Sequence, residues 1–111
     1  MKNEFEDLLS KKEHIIGLYD IYKGLLTEKQ KDYFESYYYE DMSLAEISSV
    51  NNVSRNAVFS ALKQIENVLN NYEENLLLKK KLDCLQNIIF EYEDNSNEDV
   101  KNIINTIKGM E

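Results

Sequence analysis

The side chains that could do chemistry are few and scattered in this chain of 111 residues. His14 and Cys84 are the single histidine and the single cysteine. No second histidine or thiol therefore stands at the spacing that a zinc site needs. No glycine-rich phosphate loop and no nucleophile–histidine–acid set stands out either. The sequence predicts a protein that is not an enzyme and that holds no metal and no cofactor.

Arg55 is the only arginine in the chain and the most informative charged residue. Its planar guanidinium can make a two-pronged hydrogen bond to guanine, to a phosphate or to a carboxylate. Four residues later, Phe59 offers an aromatic ring, which suits a protein partner or a stacked base better than a phosphate. The alternative for Arg55 is an exposed first-turn residue with ordinary local contacts.

Three short signals around Arg55 predict the elements that would position it. Ser43 and Glu46 have the spacing of a capping box, which marks the start of a short helix. Asn51–Asn52 fits a tight turn, because asparagine tolerates a left-handed backbone better than other non-glycine residues. Ser54 fits the N-cap of a second helix. A short helix, a sharp turn and a second capped helix indicate a helix-turn-helix.

In a helix-turn-helix, apolar residues fix the angle between the two helices, and the first exposed residues of the second helix contact the partner. The apolar positions expected here are Leu44, Ile47 and Val50 on one side of the first helix, followed by Val53, Val58 and Leu62. The candidate nucleic-acid-binding or partner-binding residues are Ser54, Arg55, Asn56, Phe59, Ser60 and Lys63.

Further helices are expected on both sides of this motif. The first is predicted from Asn3 to Lys23, where Gly24 would end it. A second begins at Thr27, which has capping-box spacing with Gln30. It carries an aromatic stripe that is expected to be mostly core, with Tyr39 the most exposed of its tyrosines. The members of this stripe are Tyr33, Phe34, Tyr37 and Tyr38.

The helix that begins after Ser54 is predicted to be long, and its apolar pattern changes phase. One seam, at coiled-coil spacing, comprises Val58, Leu62, Ile65, Leu69, Tyr72 and Leu76. A second seam starts two residues later and comprises Leu78, Leu82, Leu85, Ile89 and Tyr92. The slip predicts either a break near Glu73–Asn75 or a continuous helix that presents a different face. Cys84, between two leucines, is expected to be buried. Ser96 with Asp99 is expected to cap a last helix.

The predicted fold class is all-α, with a helix-turn-helix core and additional N- and C-terminal helices. We expect residues 1–111 to form a single domain, 27–72 to form the core, and 73–111 to supply helices for dimerisation. The two out-of-step seams and the isoleucine-rich last helix offer more apolar surface than one small core must bury. This excess predicts a homodimer through the N- and C-terminal helices.

Charge and composition limit the partners. The formal net charge is −8, and residues 27–72 contain seven acids and four bases. This balance argues against indiscriminate nucleic-acid binding, which draws on phosphate neutralisation, although a local contact stays open. One cysteine, an acidic N-terminal segment and apolar runs of no more than three residues favour a cytoplasmic protein without a membrane span.

Three segments of the chain, and then the chain as a whole, carry a resemblance to known proteins. LTEKQKDYF with MSLAEIS and NVSRNAV resembles the DNA-binding region 4 of sigma factors. The whole chain more closely resembles the YlxM family of small helix-turn-helix proteins, and Ser54–Phe59 is the most specific part of the match. Ser48 and Asn52 depart from the sigma pattern, which has alanine and glycine at those places. Both replacements are sterically tolerable.

The family resemblance implies a regulatory accessory role linked to the signal recognition particle, with the particle's GTPase or its RNA as the possible partner. It supplies no catalytic residues. The sigma-like pattern implies a DNA-binding transcriptional regulator instead. A third possibility is a purely structural oligomer. The residues themselves leave all three open.

Overall fold

The computed structural model describes residues 4–111, and within them it is all-helical, as the sequence predicts. The predicted helix start at Asn3 lies outside the described residues. The chain divides into two compact units, one that ends at Leu76 and one that begins at Leu77. The helices are α1 (Glu4–Tyr22), α2 (Glu28–Tyr38), α3 (Leu44–Asn51), α4 (Arg55–Leu76), α5 (Leu78–Tyr92) and α6 (Glu98–Lys108).

The first unit is a bundle in which α1, α2 and α3 each pack against α4. Its core joins the apolar faces of all four helices. The rings of Tyr19 and Phe34 stack with their centroids 4.0 Å apart, and Leu18 beside them is fully buried. The aromatic stripe is only partly core, because Tyr37 is exposed, and the neighbouring Tyr39 is more exposed still, as predicted.

Three tyrosine-to-glutamate hydrogen bonds connect the long helices of this bundle. The Tyr19 hydroxyl donates to Glu35 at 2.7 Å and joins α1 to α2. The hydroxyl of Tyr22 donates to Glu73 at 2.6 Å and joins α1 to α4. Tyr38 donates to Glu66 at 2.9 Å and joins α2 to α4. Each pair among α1, α2 and α4 is therefore held by a polar contact at the edge of the apolar core.

The connection between α1 and α2 differs from the expected glycine stop. Helix α1 ends at Tyr22 and continues as a 3-10 turn, Lys23–Leu25. Gly24 lies within that turn without a positive φ. It therefore does not act as a left-handed cap. The capping box of α2 is confirmed, since the Thr27 hydroxyl accepts from the Gln30 N–H at 3.1 Å and the Gln30 side chain accepts in return at 2.9 Å.

The phase slip of the two apolar seams marks a real break. Helix α4 ends at Leu76, and Leu77 has left-handed φ and ψ of 55° and 30° before α5 begins. The break falls just after the predicted segment, Glu73–Asn75. The first seam is buried as far as Leu69.

The second unit, residues 77–111, is a hairpin in which α5 packs on α6. Its buried apolar residues are Ile89 and Ile104. The N-cap of α6 is Asn97, whose side chain accepts from two backbone N–H groups, and the expectation for Ser96 was one residue early. Cys84 is exposed, which corrects the expectation of a buried thiol.

Candidate partner-binding surface of the helix-turn-helix

The bracing helix α3 begins with the predicted capping box. The Ser43 hydroxyl accepts from the Glu46 N–H at 3.1 Å, and the Glu46 carboxylate accepts from the Ser43 N–H at 3.2 Å. Two free N–H groups are thereby satisfied at a helix of only eight residues. The start of α3 is thus fixed by local contacts.

The turn between α3 and α4 has the left-handed geometry that the asparagines predict. Asn52 has φ 60° and ψ 41°. Its N–H and that of Val53 donate back to carbonyls of the last turn of α3, with the Val53 bond to the Ser48 carbonyl at 3.1 Å. The Asn51 side chain donates to the Ile47 carbonyl at 2.8 Å. These bonds satisfy the end of α3 and turn the chain toward α4 within three residues.

Apolar residues lock the angle between α3 and α4, largely as predicted. Ile47 and Val58 are fully buried, and Leu62 is nearly so. Leu44 and Val53 are partly buried against the same core. The expectation for Val50 was wrong, since 75% of it is exposed. Fewer residues of α3 therefore pack against the core than the sequence predicts.

Helix α4 begins with Ser54 as its cap. The Ser54 hydroxyl accepts from the Ala57 N–H at 3.0 Å. This bond gives Ser54 a structural role and leaves its hydroxyl proton available to donate to a partner.

The remaining candidate residues are all exposed on the first turns of α4. Among residues 4–111, no carboxylate lies within ion-pair distance of Arg55. Phe59 is 49% exposed, and the Lys63 ammonium lies 5.9 Å from the centre of its ring. An unpaired guanidinium and a half-exposed ring therefore stand near each other on one surface. Asn56 and Ser60 lie on the same turns of the helix.

Lys63 connects this surface to a groove that the sequence does not predict. The groove has a volume of about 740 Å³ and lies between α1, the end of α2 and α4. It is lined by Leu8, Lys11, Lys12, His14, Ile15, Tyr37, Tyr38, Asp41, Met42, Lys63, Glu66 and Asn70. Sequence reasoning had no signal for it, because α1 and α4 are about fifty residues apart along the chain and meet only through packing.

Hydrogen bonds order part of the groove wall. The His14 Nε2 lies 3.3 Å from the Asn70 side-chain oxygen. Glu66 accepts from Tyr38 at 2.9 Å and lies 3.7 Å from the Lys63 ammonium. Burial, the hydrogen bond to Glu66 and the negative charge of that carboxylate together raise the pKa of Tyr38 well above its ordinary value. The hydroxyl therefore keeps its proton, and stays a donor, to a higher pH than an ordinary tyrosine does.

A capped short helix, a left-handed corner and a longer helix with exposed first turns define a helix-turn-helix protein. The particular family follows from comparison. A family model described as "Putative helix-turn-helix protein, YlxM / p13 like" matches residues 9–109. UPF0122 proteins of Bacillus cereus strains AH187 and G9842 and of Bacillus anthracis strain A0248 are each 34% identical over 110 residues, which cover 94% of this chain and 100% of each relative. The chain therefore belongs to the UPF0122 family of YlxM / p13-like proteins.

Between residues 4 and 111, no helix is long and apolar enough to cross a membrane. The same residues contain no group of three or more histidine, cysteine or carboxylate side chains that could hold a metal ion.

Proposed function

We propose that this chain is a regulatory protein of the cytoplasm that acts by binding and not by catalysis. In this proposal, the exposed first turns of α4 dock on a protein or RNA of the signal recognition particle pathway, with the particle's GTPase or its RNA as the partner. The family resemblance suggests the pathway, and the exposed surface suggests the mode of action.

The observation that carries the proposal is the pair formed by Arg55 and Phe59. Arginine and aromatic residues supply much of the binding energy in protein interfaces, and both also contact RNA, by charge and by stacking. Within residues 4–111 the guanidinium has no carboxylate partner of its own, and half of the ring faces solvent. Both groups are therefore available to a partner without the loss of an internal ion pair.

The charge balance favours this partner class over duplex DNA. Residues 4–76 carry fourteen acidic and seven basic side chains. On the exposed first turns of α4, only Arg55 and Lys63 are basic, and Lys63 lies near Glu66. Non-specific affinity for DNA grows with the number of phosphates that are neutralised. Two bases supply little of it.

Binding titrations with the full chain test the proposal. The labelled chain is titrated with the purified GTPase of the particle and, separately, with its RNA. We expect binding at micromolar concentration or below to at least one of them. Arg55→Ala and Phe59→Ala should each weaken it about tenfold or more, as an interface residue worth about 1.4 kcal/mol would.

Matched controls come from exposed residues outside the helix-turn-helix. Lys23→Ala removes an exposed base, and Leu25→Ala removes an exposed apolar side chain. Both should leave the affinity unchanged. No binding to either partner at tens of micromolar would contradict the proposed pathway, and equal losses in the controls would contradict the proposed surface.

A second candidate function is a DNA-binding transcriptional regulator, which the exposed first turns of a capped second helix favour by geometry. Gel shifts against random and selected duplexes over a range of salt concentrations distinguish it. Sequence-specific binding whose salt dependence corresponds to roughly two or three phosphates would support DNA as the target. Binding that is absent, or equal for all duplexes, would count against it.

A further inference from the structure

The first half of α1 is exposed along its whole circumference. Every residue from 4 to 14 is exposed, and among them Phe5, Leu8 and Leu9 are exposed by 69%, 65% and 44%. We call the segment Glu4–Lys12 the α1 arm. Three large apolar residues on two turns of one helix leave an apolar surface that water covers at a cost in free energy.

The arm continues the face of α1 that forms the core. Phe5 and Leu8 precede the buried Ile15 and Tyr19 at helical spacing, so they lie along the same stripe. From Ile15 onward the stripe is covered by the bundle, and before it the stripe is bare. The apolar face of α1 is therefore longer than the bundle that covers it.

The arm has a self-complementary order of charges. Acidic Glu4 and Asp7 come first, Leu8 and Leu9 follow, and basic residues end it at Lys11–Lys12. Two such segments that lie antiparallel with Leu8 beside its counterpart place Glu4 of each copy opposite Lys12 of the other. Among residues 4–111, neither Lys11 nor Lys12 has an ion-pair partner.

The groove beside the arm has matching chemistry. One wall of the groove is the arm itself, through Leu8 and its two lysines, and the other walls include Tyr37 and Met42. These walls offer apolar contact and positive charge, which suit an acidic apolar helix. The carboxylates of Asp41 and Glu66 also line the groove, and they would repel the phosphates of a nucleic acid. The α1 arm of a second copy is itself an acidic apolar helix of this kind.

We infer that a second copy of this chain docks on the arm. The two arms pair antiparallel about a two-fold axis near Leu8, and the arm of each copy lies in the groove of the other. Such a contact is isologous, because the same surface serves both copies. This contact is a specific interface at the N-terminal helix of the expected homodimer. It does not depend on which partner the helix-turn-helix binds.

Sedimentation velocity of the full chain at tens of micromolar tests the interface. We expect a dimer that dissociates more readily as salt is raised, because exposed charges are screened within about 10 Å at 0.1 M salt. Leu8→Glu should shift the chain to monomer. Leu25→Glu, at another exposed leucine, should leave the dimer intact. Circular dichroism of each variant separates loss of association from loss of folding.

A charge exchange gives the sharper result. Lys11→Glu with Lys12→Glu makes the arm wholly acidic, and Glu4→Lys with Asp7→Lys makes it largely basic. Each double variant alone should be at least tenfold weaker in self-association, and an equal mixture of the two should restore a dimer. Lys23→Glu with Lys101→Glu changes the net charge as much as the first double variant and should leave self-association unchanged.

Three outcomes would overturn the inference. They are a wild-type chain that is monomeric at tens of micromolar, a dimer that Leu8→Glu does not weaken, and a mixture that fails to associate. Binding of RNA that depends on Lys11 and Lys12 while the chain stays monomeric would assign the groove to nucleic acid instead. None of these outcomes bears on Arg55 and Phe59, whose variants test the proposed function separately.

Discussion

The hydroxyl of Tyr38 shows how single polar contacts hold the bundle together. It is half-buried, and its bond to Glu66 connects α2 to α4 beside the groove. We predict that Tyr38→Phe lowers the free energy of unfolding by about 1 kcal/mol, the usual net value of such a bond. Urea denaturation measures this change. Tyr37→Phe is the control, since this neighbouring tyrosine is more exposed, and an equal loss in both variants would contradict the role of the bond.

The same tyrosines predict a loss of stability in alkaline solution. Burial first, and then the bonds to Glu35 and Glu66 and the charges of these carboxylates, raise the pKa values of Tyr19 and Tyr38 above the ordinary value near 10. Unfolded tyrosines lose their protons near that pH, while the folded ones keep theirs. The free energy of unfolding should therefore be unaffected by these groups below about pH 9 and fall as the pH rises above 10.

The size of the effect can be isolated by substitution. Each such tyrosine contributes a slope of at most about 1.4 kcal/mol per pH unit in that window. Tyr19→Phe with Tyr38→Phe should therefore flatten the dependence between about pH 10 and 11. Denaturant unfolding at a series of pH values measures the slope. An identical slope in the wild-type chain and the double variant would show that neither pKa is raised by folding.

At the scale of elements, the corner between α3 and α4 depends on Asn52. Its left-handed backbone suits glycine, is tolerated by asparagine and is costly for residues with an ordinary side chain. Asn52→Ala should lower the free energy of unfolding by about 1 kcal/mol, and Asn52→Gly should be neutral or stabilising. Chemical denaturation of both variants measures the difference. Equal stability of the two would mean that the corner is not left-handed in solution.

Gly24 provides the opposite case. Its φ is not positive, and a Cβ built on it meets no atom of residues 4–111 within 4 Å. Gly24→Ala should raise the free energy of unfolding by about 0.4–1 kcal/mol, because alanine restricts the unfolded chain without a clash in the folded one. Thermal and urea unfolding both report this gain. A loss of stability instead would indicate a backbone that glycine alone can adopt.

Elements whose ends are marked by local residue patterns can be predicted from the sequence. Capping boxes at Thr27 and Ser43 and the asparagine turn are local chemistry, so the sequence places them within a residue or so. Only the phase slip of the two apolar seams indicates the break after α4. No residue type marks its position, because leucine rarely adopts the left-handed conformation that Leu77 has.

At the scale of the whole molecule, one part of the candidate site can be predicted from local sequence and another part cannot. The exposed first turns of α4 follow from one local motif, and the sequence predicts each of their residues. The groove does not follow from a local motif, since Lys11 and Lys63 line the same groove only because α1 packs on α4. A single sequence carries helical periodicity, but it does not specify which helices become neighbours.

The central claim is that the first turns of α4 form the surface that binds a macromolecular partner. Chemical-shift mapping of the labelled full chain, titrated separately with the signal recognition particle GTPase and with its RNA, tests this claim most directly. The account predicts that the largest changes, with one of the two, fall within residues 54–63. Changes confined to residues 77–111, or no change with either partner, would contradict it.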